Sequence, residues 1–199
     1  MRSLRIILLA GVLIFAWASQ AVADEVTDQL DKVKSLYAAQ KYAQAITELN
    51  FALGQIQEKL AEFYMKALPE PASGWQADEP ESQTAVMALM GGGVAVKRHF
   101  YKGDETYVDV EIVSESPMLS SIMMMLGNPM FLGDNKLVII KGEKAVEEWN
   151  GDEKSGSLQL VIENRIHVLV SGGSLEKKDD LYTYANAMDF AKLRALVKD

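Results

Sequence analysis

The sequence predicts an α+β fold: an N-terminal helical hairpin followed by an antiparallel sheet of five or six strands, with a C-terminal helix packed on one face. Three observations carry this. Apolar residues recur every three or four positions from Val26 to Leu68. From Val94 to Val170 the apolar period falls to two, interrupted by short turns rich in Gly, Asn and Asp. The helical period then returns between Asp179 and Val197. Helices and half-buried strands impose these two periods because of where each backbone points its side chains.

The chain opens on a targeting segment. Arg2 and Arg5 precede an apolar run from Ile6 to Trp17, and Ala21-Val22-Ala23 places small residues where a signal peptidase reads. Residues 1–23 are therefore expected to be a secretory signal peptide, cleaved after Ala23. The run is short of the ~20 residues a spanning helix needs, and no later stretch is longer, so no stable membrane insertion is expected after cleavage. The absence of cysteine excludes lipoprotein attachment, disulfides, catalytic thiols and thiolate metal sites. Losing Arg2 and Arg5 with the signal takes the net charge from −8 to −10. An acidic chain suits neither nucleic acid nor anionic membrane, both of which demand basic patches. The expected location is the periplasm.

The rest divides into a helical hairpin (24–68), a linker (69–82) and an α+β sandwich domain (83–199). Val26, Leu30, Val33, Leu36 and Tyr37 mark the first helix, with Asp, Gln and Lys between them. Gln40-Lys41 is a short turn. The second helix runs through Tyr42, Ala45-Ile46, Leu49, Ala52-Leu53, Ile56, Leu60 and Phe63 to Leu68, where Pro69 stops it. The two helices are expected to pack against each other through these stripes. Gly54 costs the second helix about 1 kcal/mol relative to Ala.

Leu36 to Leu53, LYAAQKYAQAITELNFAL, resembles the turn of a tetratricopeptide repeat: small Ala38 and Ala45 admit close approach, and Tyr42 starts the second helix. A repeat array needs about three such units to bury its core, and one is visible, so that family's peptide-binding role does not carry over.

PEPASGWQADEP (69–80) reads as a linker, with Trp75 as a packing anchor. Gln83 to Met90 reads as a short helix or an entry strand. Gly91-Gly92-Gly93 precedes a strand rather than a helix, and no Gly-Lys-Ser/Thr follows, so a bend or bulge is expected rather than a phosphate cradle. Strands are expected over 94–101, 107–112, 137–140, 145–149, 158–162 and 165–170. The closing helix over 179–197 carries Leu181, Tyr184, Ala185, Met188, Ala191 and Leu196 on its apolar stripe. The order of elements from Gly74 to Val197, with a Gly-Trp entry and a closing helix, resembles the PsbP/Mog1-like α+β domains. The resemblance implies a sandwich and brings no catalytic residue.

The segment from Ser116 to Gly133, SPMLSSIMMMLGNPMFLG, holds five of the ten methionines. Ser116 and Pro117 suit a helix start, and Gly127 a helix end. Met118, Leu119, Ile122, Met123, Met125 and Leu126 are expected to pack on the sheet, since methionine fills irregular gaps. Met123, Met124 and Met125 cannot all face inward, because consecutive helical residues point about 100° apart. The surplus marks an apolar contact surface. The candidate binding residues are Met118, Leu119, Ile122, Met123, Met124, Met125 and Met130. Thioethers are also soft ligands for copper(I), and Met118, Met123, Met125 and Met130 supply an alternative reading as a metal-handling protein.

His99 and His167, with Asp109 and Glu111, have the ligand types of a zinc site on the outer sheet face, although their spacing is no motif. Glu147-Glu148 and Lys177 to Asp180 read as solvated charge. No Gly-x-Ser-x-Gly elbow occurs. The expectation is a non-enzymatic periplasmic module, without cofactor, that contacts another periplasmic or envelope protein or a hydrophobic small molecule through the methionine segment.

Overall fold

A computed structural model describes residues 24–89, 91–117, 119–128, 132–133 and 135–198; the expected signal peptide lies outside them. The fold is α+β. Helices α1 (Glu25–Ala38) and α2 (Tyr42–Met65) form the hairpin. Two short strands, β1 (Gln76–Ala77) and β2 (Glu81–Ser82), and a helix α3 (Thr84–Leu89) lead into β3 (Val94–Lys102) and β4 (Thr106–Ser114). Helix α4 (Leu119–Gly127) follows, then β5 (Lys136–Ile140), β6 (Glu143–Asn150), β7 (Ser155–Ile162) and β8 (Ile166–Gly173). Helices α5 (Asp179–Ala187) and α6 (Phe190–Ala195) close the chain. Among the described residues, no helix is long and apolar enough to cross a membrane.

All pairings are antiparallel, in the order β1-β3-β4-β8-β7-β6-β5, and β2 also pairs with β3. The six expected strands are all present, and the sheet has eight because β1 and β2 dock along β3. Two-residue strands are too short to show a period, so only their hydrogen bonds reveal them. β4 pairs with β8 rather than with β5. The methionine segment is therefore a crossover: it carries the chain past three strands to the far edge, from which β5 to β8 meander back.

One face of the sheet carries the core. Phe100, Val110, Ile112, Leu158, Leu160, Ile162, Val168 and Val170 are fully buried there. Ala61 and Tyr64 at the end of α2 and Ala67 and Leu68 just after it cover it together with Leu181, Tyr184, Phe190 and Leu193 of the C-terminal helices and Met188 between them. The expected single closing helix is broken at Met188, which is extended. Asp189 then caps α6 by accepting from the Lys192 amide at 3.0 Å. A capping carboxylate beside an extended residue restarts a helix in a new direction.

The hairpin departs from the expected stripe-on-stripe packing. α1 sits over Ala45, Glu48 and Ala52 of α2. Both alanines are buried, and Glu48 accepts from Gln29 and pairs with Lys32 at 2.6 Å. Small residues let the helix axes approach closely, so α1 chooses the alanine face. The large residues of α2, about a quarter-turn round, are turned outward.

Candidate partner-binding groove

Tyr42, Ile46, Leu49, Leu53, Ile56, Leu60 and Phe63 follow alternating steps of four and three along α2. This is a strict a/d stripe. All but Leu60 are exposed, Ile46 by 60%. Large apolar side chains on one helix, open over its whole length, form a contiguous patch of the kind that marks an interaction surface. The end of α2 is held on the sheet by Ala61 and Tyr64, so the stripe is carried on a rigid element.

Towards the sheet the stripe runs into a groove of about 640 Å³. Leu53, Ile56, Gln57 and Leu60 form one wall; Gly91 to Val94, Glu115 to Pro117 and Leu119 form the other, with Asn164 and Arg165 at the rim. The glycine run fits the expected bend: all three glycines have positive φ. At Gly93 an added Cβ would stand 3.0 Å from the Ser114 carbonyl oxygen, so only glycine lets the two strand ends lie this close. At the rim, Arg165 donates to Glu115 at 2.6 Å and to the Val197 carbonyl at 3.3 Å, fixing the polar edge.

The methionine helix borders this groove at its first residue. Leu119 is buried and lines the groove. Ile122 and Met123 are half-buried, while Met124 is 66% exposed, so the surplus side chain does turn outward. Met123 lines a second, smaller groove with Leu137, Val146 and Val161 on the outer sheet face. Met125 lies within α4. Met118 and Met130 lie outside the described residues.

The histidine–carboxylate set assembles only in part. His99 and Asp109 are cross-strand partners, with Nδ1 2.7 Å from Oδ1, and Lys97 holds the other carboxylate oxygen at 3.1 Å. Tyr101 and Tyr107 flank the imidazole, each with its ring centroid at 5.9 Å. Glu111 lies on the next rung, its carboxyl pushed up by burial. His167 stands one rung beyond Glu111, opposite Val113, roughly 13 Å from His99 along the strand direction. It is buried, and its Nε2 has no hydrogen-bond partner. Burial lowers its pKa to about 4. Among the described residues no three His, Cys, Asp or Glu converge to hold a metal ion, so the zinc expectation fails on the distance between the strand rungs.

Two features were missed in the sequence. Glu147, read as solvated charge, faces the core side beneath α5 and is 3% exposed. A Ser-x-x-Lys spacing does occur, Ser174 to Lys177, but it lies in the loop after β8. There Lys177 is exposed and pairs with Asp179 at 4.0 Å. The signal for the exposed stripe of α2 lies in the small residues beside it: Ala45 and Ala52 offer α1 a closer approach than the large residues do.

Comparison with protein-family models, with curated proteins and with solved structures finds no match for this chain.

Proposed function

We propose that this chain is a non-enzymatic interaction module of the periplasm that binds a partner protein through the apolar stripe of α2 and the groove beside it. The observation that carries the reading is the run of outward-facing residues from Tyr42 to Phe63, which continues without a break into a groove lined by Leu119. A protein helix fits this surface better than a small molecule does. The stripe runs along a helix of 24 residues, about 36 Å long, and the groove opens beside its residues 53–60, whereas small-molecule sites enclose most of their ligand. The methionine helix supplies one wall and, through Met124, an adaptable edge.

Photo-crosslinking in intact envelopes tests this. A photoreactive residue at Ile56 is expected to give a covalent protein adduct; the same residue at Asp104, in the β3–β4 turn at the other end of the sheet, is expected to give none. No adduct at Ile56, or equal adducts at both positions, sinks the reading. An adduct of lipid mass in place of protein moves it to a hydrophobic-ligand carrier.

A further inference from the structure

We infer that the partner on this surface is a second copy of the same chain, α2 against α2, antiparallel about a two-fold axis at Leu53. The inference rests on the reading of the stripe and groove as a partner-binding surface, and it names the occupant.

The spacing is the first argument. Steps of four and three keep a narrow seam facing one neighbouring helix over several turns. α1 does not take that place, because it lies on the alanine face with Glu48. The hairpin is thus two helices of an arrangement that becomes a four-helix bundle when a second hairpin is added.

The second argument is self-complementarity. With Leu53 on the axis, Leu49 of one protomer meets Ile56 of the other. Ile46 then meets Leu60, and Tyr42 meets Phe63. Aliphatic residues face aliphatic ones at the centre, and a ring faces a ring at each end. A two-fold interface requires one patch to match its own reverse, and this seam does. The same register lays Ile46 and Leu49 of one protomer beside the groove of the other, and its aromatic tip beyond it. That tip holds Tyr37 and Tyr42, already edge-to-face at 5.5 Å, and the groove walls are Leu60 and Leu119.

The third argument is charge. Two copies of an acidic chain of net charge −8 repel unless their contact is free of carboxylates. The positions flanking the seam are Ala43, Ala45, Asn50, Ala52, Gln57, Lys59 and Tyr64, none of them acidic. Glu48 and Glu62 share the next position out, on the side of α1, and Glu48 is held there by Lys32.

The chain contains no cysteine, so single introduced cysteines report on the geometry without interference. Sedimentation equilibrium of the secreted chain is expected to give twice the monomer mass. Leu53→Cys is expected to form a covalent dimer under mild oxidation at least about tenfold faster than Phe51→Cys, since a disulfide needs its two Cα atoms within about 7 Å and Phe51 lies on the opposite face of α2. Ile46→Glu with Leu53→Glu is expected to raise the dimer dissociation constant by about 100-fold or more, since carboxylates would be buried at the seam. Phe51→Glu is expected to leave it unchanged. A monomer mass at roughly 100 µM overturns the inference, because pairing is concentration-driven. Equal crosslinking at positions 51 and 53 overturns it too. A monomer whose Ile56 still crosslinks to a different envelope protein overturns self-pairing and leaves the groove reading standing; loss of both overturns both.

Discussion

Glu147 and Lys178 are joined by two hydrogen bonds of 2.9 Å, the ammonium of α5 reaching both oxygens of a carboxylate on β6. Tyr182, one turn further along α5, donates to the same carboxylate at 2.5 Å. The three groups pin the C-terminal helix to the sheet from beneath. Burial pushes the Glu147 carboxyl up, but the Tyr182 hydroxyl and the Lys178 ammonium outweigh it and hold it below the usual range. Burial, and then the Glu147 bond, raises the Tyr182 phenol to about 12.

Removing the phenol should therefore be felt. Tyr182→Phe takes a donor from a buried charge and is expected to lower unfolding free energy by about 2 kcal/mol at neutral pH. The sign follows from the shifts. A carboxyl lowered in the folded state stabilises above its unfolded pKa and loses that contribution as pH falls through the folded value. A phenol raised from 10 to about 12 contributes stability that is lost as pH rises through that interval. Urea unfolding at several pH values checks this: the penalty of Tyr182→Phe should fade in acid. A penalty that stays constant below pH ~4 would show that the hydroxyl does not act through the ionised carboxylate.

Arg98 provides a second pin on the same face, towards the opposite edge of the sheet on β3. Its guanidinium donates to the Pro69 carbonyl at 2.7 Å and to the Asp78 carbonyl at 3.1 Å, and lies 3.3 Å from the Glu70 carboxylate. One planar group thus ties both ends of the 69–78 segment to β3. Lysine has a single ammonium and cannot span the two carbonyls in the same fork geometry. Arg98→Lys is expected to speed proteolytic cleavage between residues 70 and 80 while the sheet core stays protected from hydrogen exchange. Unchanged cleavage in that variant would show that β1 and β2 hold the segment without the guanidinium.

These pins show where the sequence is legible and where it is not. The meander was readable because each turn announces itself: Gly142, Glu163-Asn164 and Gly103 all take positive φ between strands of alternating pattern. The pairing of β4 with β8 was not, because alternation fixes which face a residue takes and says nothing about which strand lies beside it. Glu147 was misread for a related reason. Its parity along β6 places it with Ala145 on the core side, but only the placement of α5 decides that a lysine and a tyrosine meet it there. The hairpin was legible as two amphipathic helices. Its exposed stripe was not, because the spacing of large residues is the same whether they meet α1 or solvent, and the alanines at 45 and 52 decide between them.

His167 makes stability depend on pH. Its cross-strand neighbours are Val113 and Val161, and its buried Nε2 lacks a partner. Burial lowers its pKa from 6.5 to about 4. Above pH 6.5 both folded and unfolded states are neutral at this ring and it contributes no slope. Between 6.5 and about 4 the unfolded chain binds a proton that the folded chain refuses, so stability falls as pH falls. A shift of this size corresponds to a loss on the order of 3 kcal/mol by the lower end of the window. His167→Leu is expected to remove that part of the acid slope and to match or exceed the parent at neutral pH, because a buried ring nitrogen without a hydrogen-bond partner is replaced by an apolar group. Parallel stability curves for the two proteins from pH 7 to 4 would assign the acid sensitivity elsewhere.

The methionine helix separates a packing role from a metal role. Met124 points to solvent while Met123 is half-buried against Leu137, Val146 and Val161. Replacing Met123, Met124 and Met125 together with leucine nearly conserves volume and is expected to change stability by less than about 1.5 kcal/mol. An apolar contact surface survives that exchange, so crosslinking at Ile56 should persist. Leu119 gives the contrast. It is buried in the groove wall, and Leu119→Ala is expected to cost about 2–3 kcal/mol through the cavity it leaves, weakening partner capture as it does so. Copper(I) binding demands the sulfur atoms themselves, because leucine offers no ligand of any kind. A competition titration of the parent against a copper(I) chelator is therefore decisive when paired with the triple variant. Tight binding by the parent that disappears in the variant would establish the metal role, and loss of Ile56 crosslinking in the same variant would tie the groove to it. No binding by either protein, with crosslinking intact in both, leaves the methionines as one wall of an apolar groove.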